Sequence, residues 1–313
     1  MVFWYGASEP HRRYKYGLGE EKGYNLDDIE VPGFLPDHEM TRNDVADYYY
    51  ELEWFDDHLG KMIKSLEEKG MLDNTIIVVT SDNGMPFPRA KSTLYNYGVQ
   101  MPLAIKWGNQ LEAGRVIDEM ISLSDLAPTF LDIAGLKIPE EMTGRSLKNL
   151  LLHNNSNLEH AEFVVTALER HTICRPNNLG YPMRAIHTKD YTYVHNFEPH
   201  RSPGGDADFD AWPQGFYGDV DDGASKTLFE KLPDQWPHLF ELSFGKRPQE
   251  ELFNVKVDLL NMNNLADQKE YQEIKEELKA KLFEYLESTN DPRMKGLSPW
   301  DDYVFTGGDE WEK

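Results

Sequence analysis

The sequence predicts an α/β fold: a mixed sheet flanked by helices, followed by a smaller carboxy-terminal α+β unit. Ile76 to Val79 form a β-branched apolar run with no polar face, which suits a strand buried on both sides and therefore a parallel one. A helical periodicity precedes it, from about Arg42 to Lys69. After Tyr181 the pattern changes to strict alternation, as in antiparallel hairpins. The division falls at residue 178, with 1–178 as the larger core and 179–313 as the smaller unit.

Taken in order, residues 2–5 read as a strand and Glu9-Pro-His-Arg-Arg13 as the loop leaving it. Gly17, Gly19, Gly23, Pro32, Gly33 and Pro36 mark residues 14–37 as a long surface loop without regular structure. Thr41 is the predicted N-cap of the helix, whose apolar stripe is Val45, Tyr48, Leu52, Phe55, Leu59, Met62, Ile63 and Leu66; Gly70 ends it. The strand over 76–80 leads into Asp82-Asn-Gly84, and Val99 to Trp107 continues the alternation of elements. Residues 122–135 read as a helix, with Pro128 near its first turn and Gly135 just past its end. Residues 147–152 follow as a short helix and 163–167 as a strand. Met183–Thr188 and Tyr191–Asn196 form the hairpin, and Pro199 to Gly223 reads as a loop or insertion rich in Gly, Pro and Asp. Glu250–Asn254 is a further strand, and residues 270–288 a charged helix with a stripe of Tyr271, Ile274, Leu278, Leu282 and Leu286.

The 313 residues are 40% hydrophobic and 28% charged, a soluble globular composition. No apolar stretch approaches the roughly 18 residues that span a bilayer. With 32 basic against 55 acidic residues the net charge is −23, which argues against non-specific binding to nucleic acid or a membrane surface. An anionic substrate must therefore meet local basic groups. The lone Cys174 excludes an intrachain disulfide and a cysteine-based zinc cluster. Met1-Val-Phe-Trp-Tyr lacks the basic and apolar regions of a secretory leader. A strand already under way at that point leads to the expectation that an amino-terminal portion is absent, which leaves the compartment open.

Asp82 and Asn83 stand at the carboxyl end of the β-branched strand, where open α/β sheets place their ligands. Two adjacent oxygen donors, a Gly for an unusual backbone angle and Lys91 soon afterwards fit a hard cation and an anion. The residues fit equally well an Asp-Asn-Gly turn that merely closes a strand.

Leu72–Gly84, Ser122-Leu-Ser-Asp-Leu-Ala-Pro-Thr129 and Met142-Thr-Gly-Arg-Ser-Leu147 resemble the sulfatase family of the alkaline-phosphatase-like superfamily. Glu9-Pro-His-Arg12, Asp82-Asn-Gly-Met-Pro-Phe-Pro88, Tyr181-Pro-Met-Arg184 and Val194-His-Asn196 bring the likeness nearest to its heparan N-sulfatase (sulfamidase) branch. The resemblance runs from residue 2 to about residue 270. It implies the sulfatase-like mixed sheet with a smaller carboxy-terminal subdomain, and a calcium ion held partly by Asp82 and Asn83. Related phosphatases carry a His where Asn83 stands, which suits zinc, so the Asn points to calcium. It further implies that Lys91 grips the sulfate, and that His11 contacts it and can protonate the departing atom. Arg12 and Arg13 add positive potential or cap the loop. Glu169-Arg170-His171 helps to select the sugar or is an ordinary surface loop. Tyr181-Pro-Met-Arg184 marks the start of the smaller unit, with Arg184 within reach of the rim.

Sulfatases also need a Cys/Ser-x-Pro-x-Arg motif, whose first residue becomes the formylglycine nucleophile, and a pair of Asp residues on the first strand. None of this precedes His11. Cys174-Arg-Pro-Asn-Asn178 lacks the final Arg and lies far downstream, so it is set aside as a decoy. The resemblance thus implies a hydrolase removing N-linked sulfate from glucosamine of heparan or heparin fragments, with formylglycine in the missing amino-terminal part. An O-sulfatase or phosphodiesterase of the same superfamily, or a non-catalytic remnant or binding module, are the alternatives. The expected partner is a sulfated glycosaminoglycan saccharide, with no nucleic acid and no membrane insertion, and a homodimer left open. The family points to a periplasmic, secreted or lysosomal setting. The isolated chain is expected to be inactive and marginally soluble, because absent first strands would expose sheet edges.

Overall fold

The loop over residues 14–37 is ordered by the helix it lies on. The computed structural model describes residues 2–153, 160–211 and 215–303. Within that loop a short helix, α1 (Leu18–Glu21), packs on the long helix α2 (Glu39–Glu68) so closely that a Cβ on Gly19 would strike the Ala46 backbone. Asp47 of α2 accepts the Gly17 and Gly19 N–H groups at 2.9 and 2.7 Å, satisfying donors that α1 cannot. The N-cap of α2 is His38, whose Nδ1 accepts the Met40 N–H at 3.1 Å. The predicted cap, Thr41, falls inside the first turn and is buried.

The predicted apolar stripe of α2 is buried only at its start. Val45 and Ala46 join a core with Ile29, Phe34, Phe87, Phe229 and Phe244, whereas no residue of α2 beyond Asp47 is buried. The strand predicted over residues 2–5 is also corrected. These residues pair with no strand among the described residues, and Val2, Phe3 and Trp4 are exposed. A strand needs a neighbour for its N–H and C=O groups, and β-favouring residues do not supply one. Tyr5 instead lies against Phe55 and meets His58 Nδ1 at 2.8 Å.

β1 (Ile76–Thr80) forms where the β-branched run predicts it. Its partner is β2 (Leu103–Trp107), reached through the short helix α3 (Asn96–Val99), and the pair is antiparallel with Ile76 opposite Trp107. The expected parallel, doubly buried strand is therefore corrected, since every residue of β1 is only half-buried. Apolarity reports what a strand is able to bury, while its direction follows from the path of the connection. Here the Gly84 N–H donates to the Gly98 carbonyl at 3.1 Å, which draws the two ends of the loop together and returns the chain at the end of the sheet it left.

Two helices, α4 (Leu126–Ile133) and α5 (Lys148–Leu152), precede β3 (Val164–Leu168). The predicted hairpin forms as β4 (Met183–His187) and β5 (Tyr191–Asn196). Then come α6 (Ala224–Lys231), α7 (Pro237–Phe244), β6 (Glu250–Asn254), α8 (Gln272–Ser288) and α9 (Pro299–Asp302). The second sheet runs β3-β4-β5-β6, antiparallel throughout, and β3 pairs with β4 across residue 178. The predicted stripe of α8 lays Leu278, Leu282 and Leu286 on Ile186, Tyr193 and Leu252. Leu282 and Ile186 are fully buried, each contributing about 1.5–3 kcal/mol by leaving water. Among the described residues no helix is long and apolar enough to cross a membrane.

Candidate functional site

β1 delivers Ser81, Asp82 and Asn83 at its carboxyl end. Ser81 Oγ donates to the Asn83 carbonyl and Asn83 Nδ2 to the Gly84 carbonyl, each at 2.9 Å. With its nitrogen engaged, the Asn83 amide keeps Oδ1 as an acceptor. Asp82 is exposed and makes no hydrogen bond or ion pair among the described residues. Gly84 is required for a different reason from the one predicted. Its φ is not positive; instead a Cβ there would collide with the Tyr97 carbonyl.

The chain then passes beneath the surface, burying Pro86 through Lys91. Arg89 and Ser92 both adopt φ of 63°, a costly conformation for residues with a Cβ. The surroundings over-determine it. The Arg89 guanidinium donates to the Leu242 carbonyl at 2.6 Å and to the Asn261 carbonyl, and the Lys91 N–H donates to the Met85 carbonyl at 3.1 Å. Lys91 is thus carried on a rigid backbone between two strained residues.

The Lys91 ammonium donates to Asp221 Oδ2 at 2.7 Å and lies 3.3 Å from His11 Nε2. His11 Nδ1 is 2.7 Å from the Arg12 carbonyl, which can only accept, so Nδ1 is assigned the hydrogen. Nε2 of the neutral ring is then the acceptor that faces the ammonium. Lys91 and Asp221 are 8% and 9% exposed, while His11 opens to solvent. A largely desolvated cation beside an imidazole able to carry a proton at Nε2 can grip an oxyanion and protonate a leaving group.

The structure therefore brings together His11 and Lys91, which the sequence singled out separately. Asp221 went unrecognised within the loop predicted over 199–223. Its one local signal was the acidic run Asp219-Val-Asp-Asp222. That loop is clamped: Val220 is buried, its carbonyl accepts from Lys226 Nζ at 3.0 Å, and Asp219 pairs with Arg175 at 2.6 Å. A cavity of about 210 Å³ opens where residues 12–14 meet residues 222–224, with Arg13, Asp47 and Asp222 in its wall.

The remaining predicted residues are placed elsewhere or already committed. Arg12 donates to Asp44 at 2.7 and 2.9 Å and to the Pro86 carbonyl at 2.8 Å. Arg13 is exposed in the cavity wall. Glu169 accepts from Arg184 and Arg293, each at 2.6 Å, and Arg184 also pairs with Asp291 at 2.7 Å. Arg170 donates to the Asn178 carbonyl at 2.7 Å. His171 is half-buried, with Nδ1 3.8 Å from Asp219 Oδ1. Cys174 is fully buried, and burial, reinforced by Asp219, pushes its thiol well above the usual range. The reading that no such motif stands ahead of His11 is corrected by the sequence itself, since Ser8-Glu-Pro-His-Arg12 spells Ser-x-Pro-x-Arg and overlaps His11. Its histidine faces Lys91 and its arginine is bound to Asp44, so both are occupied in other contacts.

Calcium takes six to eight oxygen ligands. Asp82 and Asn83 offer an unpaired carboxylate and a free amide oxygen, which fit one edge of such a site. Among the described residues no group of three or more His, Cys, Asp or Glu could complete it.

Two family models match this chain: Sulfatase over residues 5–136, and N-sulphoglucosamine sulphohydrolase, C-terminal, over residues 89–230. Residues 5–136 form a sulfatase-family domain. An ulvan-active sulfatase of Formosa agariphila is 29% identical over 92% of this chain and 45% of its own length. The N-sulphoglucosamine sulphohydrolase of Homo sapiens is 27% identical over 89% of this chain and 56% of its own. The chain thus spans about half the length of these curated relatives. A solved structure described as a complex with its substrate D-glucosamine-2-N,6-O-disulfate superposes with a TM-score of 0.54 and 24% identity, covering 85% of this chain and 43% of its own. That likeness shows the alkaline-phosphatase-like fold, with its mixed α/β architecture of antiparallel sheets and helices.

Proposed function

We propose that this chain forms the sulfate-gripping side of an active site that removes N-linked sulfate from glucosamine in heparan or heparin fragments. The observation carrying this is the 3.3 Å contact between Lys91 Nζ and His11 Nε2, made across 80 residues of sequence. The choice of an N-sulfate is supported by the carboxy-terminal sulfamidase match and the likeness to the human N-sulphoglucosamine sulphohydrolase. It draws further support from the 2-N,6-O-disulfated glucosamine held by the related structure.

In this reading Lys91 holds a sulfate oxygen. His11, protonated at Nε2 while Nδ1 keeps its bond to the Arg12 carbonyl, hands that proton to the bridging nitrogen. As the S–N bond breaks its electron pair stays on nitrogen, so the amine departs neutral. Asp82 and Asn83 would hold calcium on one side; in sulfatases that ion offsets sulfate charge and a formylglycine hydrate supplies the nucleophile. The sugar would occupy the cavity beside Arg13 and Asp222. With a net charge of −23 the protein repels long polyanions, which favours short fragments meeting these local cations.

A second reading is an O-sulfatase, favoured by the identity to the ulvan-active enzyme. The test is turnover of N-sulfated glucosamine, O-sulfated glucosamine and phosphate esters by the full-length protein. Preference for the N-sulfate is expected, with Lys91→Ala and His11→Ala each lowering kcat/KM by about 100-fold or more. Turnover confined to O-sulfates selects the second reading, and turnover of phosphate esters alone rejects both.

A further inference from the structure

Lys91 does not reach the site as a free cation. An ammonium has three N–H donors. One is spent on Asp221 at 2.7 Å, and a second is directed at His11 Nε2 at 3.3 Å. Asp221 comes from 130 residues downstream and cannot yield easily, because its loop is held by the Asp219–Arg175 pair, the buried Val220 and the Lys226 bond to the Val220 carbonyl. The result is a directed chain running from the Asp221 carboxylate through the Lys91 ammonium and the His11 ring to the Arg12 carbonyl.

We infer that Asp221 is the positioning residue for Lys91: it anchors the ammonium so that its remaining N–H is presented to a bound oxyanion. The inference rests on the reading of Lys91 as the sulfate contact. The Asp221 anchor is short and the His11 bond long, so an arriving sulfate draws the ammonium off Nε2 rather than off Asp221. Nε2, on a ring open to solvent, is thereby released to take up from water the proton it later delivers. An acid loaded only when the anion is bound follows from one fixed and one yielding contact on the same nitrogen.

The role is separable from that of a mere counter-charge, because the two predict opposite signs. Removing a carboxylate next to an anion site relieves repulsion, so a bystander Asp221 predicts tighter sulfate in Asp221→Ala. A positioning Asp221 predicts weaker sulfate, by about tenfold, the worth of one charge-assisted hydrogen bond. Inorganic sulfate binding is measured by calorimetry for the wild type, Asp221→Ala and Asp221→Asn, and for both substitutions combined with Lys91→Ala. Asp221→Asn keeps an oxygen for the ammonium and is expected to recover part of the affinity. In the Lys91→Ala background Asp221→Ala is expected to cost nothing further, which a general structural role would not reproduce.

Equal or tighter sulfate binding in Asp221→Ala overturns the inference, as does an undiminished cost without Lys91, or a wild type that binds no sulfate. If sulfate binding follows the pattern but N-sulfated glucosamine is not turned over, the substrate reading fails and the role of Asp221 stands. If N-sulfated glucosamine is turned over and the pattern is absent, the reverse holds.

Discussion

The Asp44 carboxylate takes both arms of the Arg12 guanidinium, at 2.7 and 2.9 Å. The same Oδ2 accepts the Ser225 N–H at 2.9 Å and the Ser225 hydroxyl at 2.7 Å. One side chain of α2 therefore ties the segment bearing His11 to the start of α6. Burial weakens the charge on Arg12, and Asp44 more than restores it, so the guanidinium binds its proton more firmly than an ordinary arginine. The rings of Tyr14 and Phe87 cover its faces, 4.6 and 4.7 Å away.

Asp44→Ala leaves that guanidinium buried and unpaired and removes the acceptor at α6. A loss of about 3–5 kcal/mol is expected in urea denaturation. Asp44→Asn, which keeps one oxygen acceptor, is expected to lose less. Equal stability of Asp44→Ala and the wild type would show that the pair does not hold these segments.

Two buried or paired groups contribute to the acid sensitivity. His187 is enclosed between Thr166 and Thr192, and burial pushes it down to about 4. An unfolded histidine titrates near 6.5, so the unfolded chain takes the proton first. Stability that is present above pH 6.5 is therefore lost as the pH falls towards 4. For Glu250 burial acts upward, but bonds to Lys279 and Tyr193 and the nearby Lys275 outweigh it and bring the carboxyl to about 2. Its contribution is present above the ordinary value of 4.5 and is lost as the pH falls towards 2. Urea midpoints measured against pH should lose the upper slope in His187→Gln and the lower slope in Glu250→Gln.

Glu169 holds two arginines, and its substitution should act on stability rather than on the saccharide. Glu169→Gln is expected to cost about 1.5–3 kcal/mol through weakened charged hydrogen bonds to Arg184 and Arg293. KM for the sulfated sugar is expected to stay unchanged. A raised KM with unaltered stability would return Glu169 to the sugar-selecting role its position in the sequence implied.

Cys174 and Ser8 share elements of the formylglycine motif, and both are expected to remain unmodified. The raised Cys174 thiol should resist iodoacetamide in the folded chain and react once urea unfolds it. Mass spectrometry reads both expectations, since oxidation of Ser8 to an aldehyde removes two hydrogens from its peptide. An aldehyde at position 8 would reassign the segment Ser8–Arg12 to the nucleophile.

Much of the molecule is written locally. The β-branched run of β1, the alternation of β4 and β5 and the stripe of α8 each report how a single element meets a core, and each forms where it was predicted. His11, Asp82, Asn83 and Lys91 stand out for the same reason, as chemistry-bearing residues in short recognisable segments. The direction of β1 was not local, because it depends on Gly84 meeting Gly98 at the far end of a loop. Nor were the partners of the charges. Arg12 is answered by Asp44, Glu169 by Arg184 and Arg293, and Lys91 by Asp221, all between segments that only the folded chain brings together. A side chain's periodicity records whether it is buried, but the desolvation of a charge is offset by whichever opposite charge folding places beside it. The sequence by itself thus determined most of the elements and singled out the residues proposed to carry the sulfate chemistry, while the tertiary structure decided which charges are engaged and which remain for a ligand.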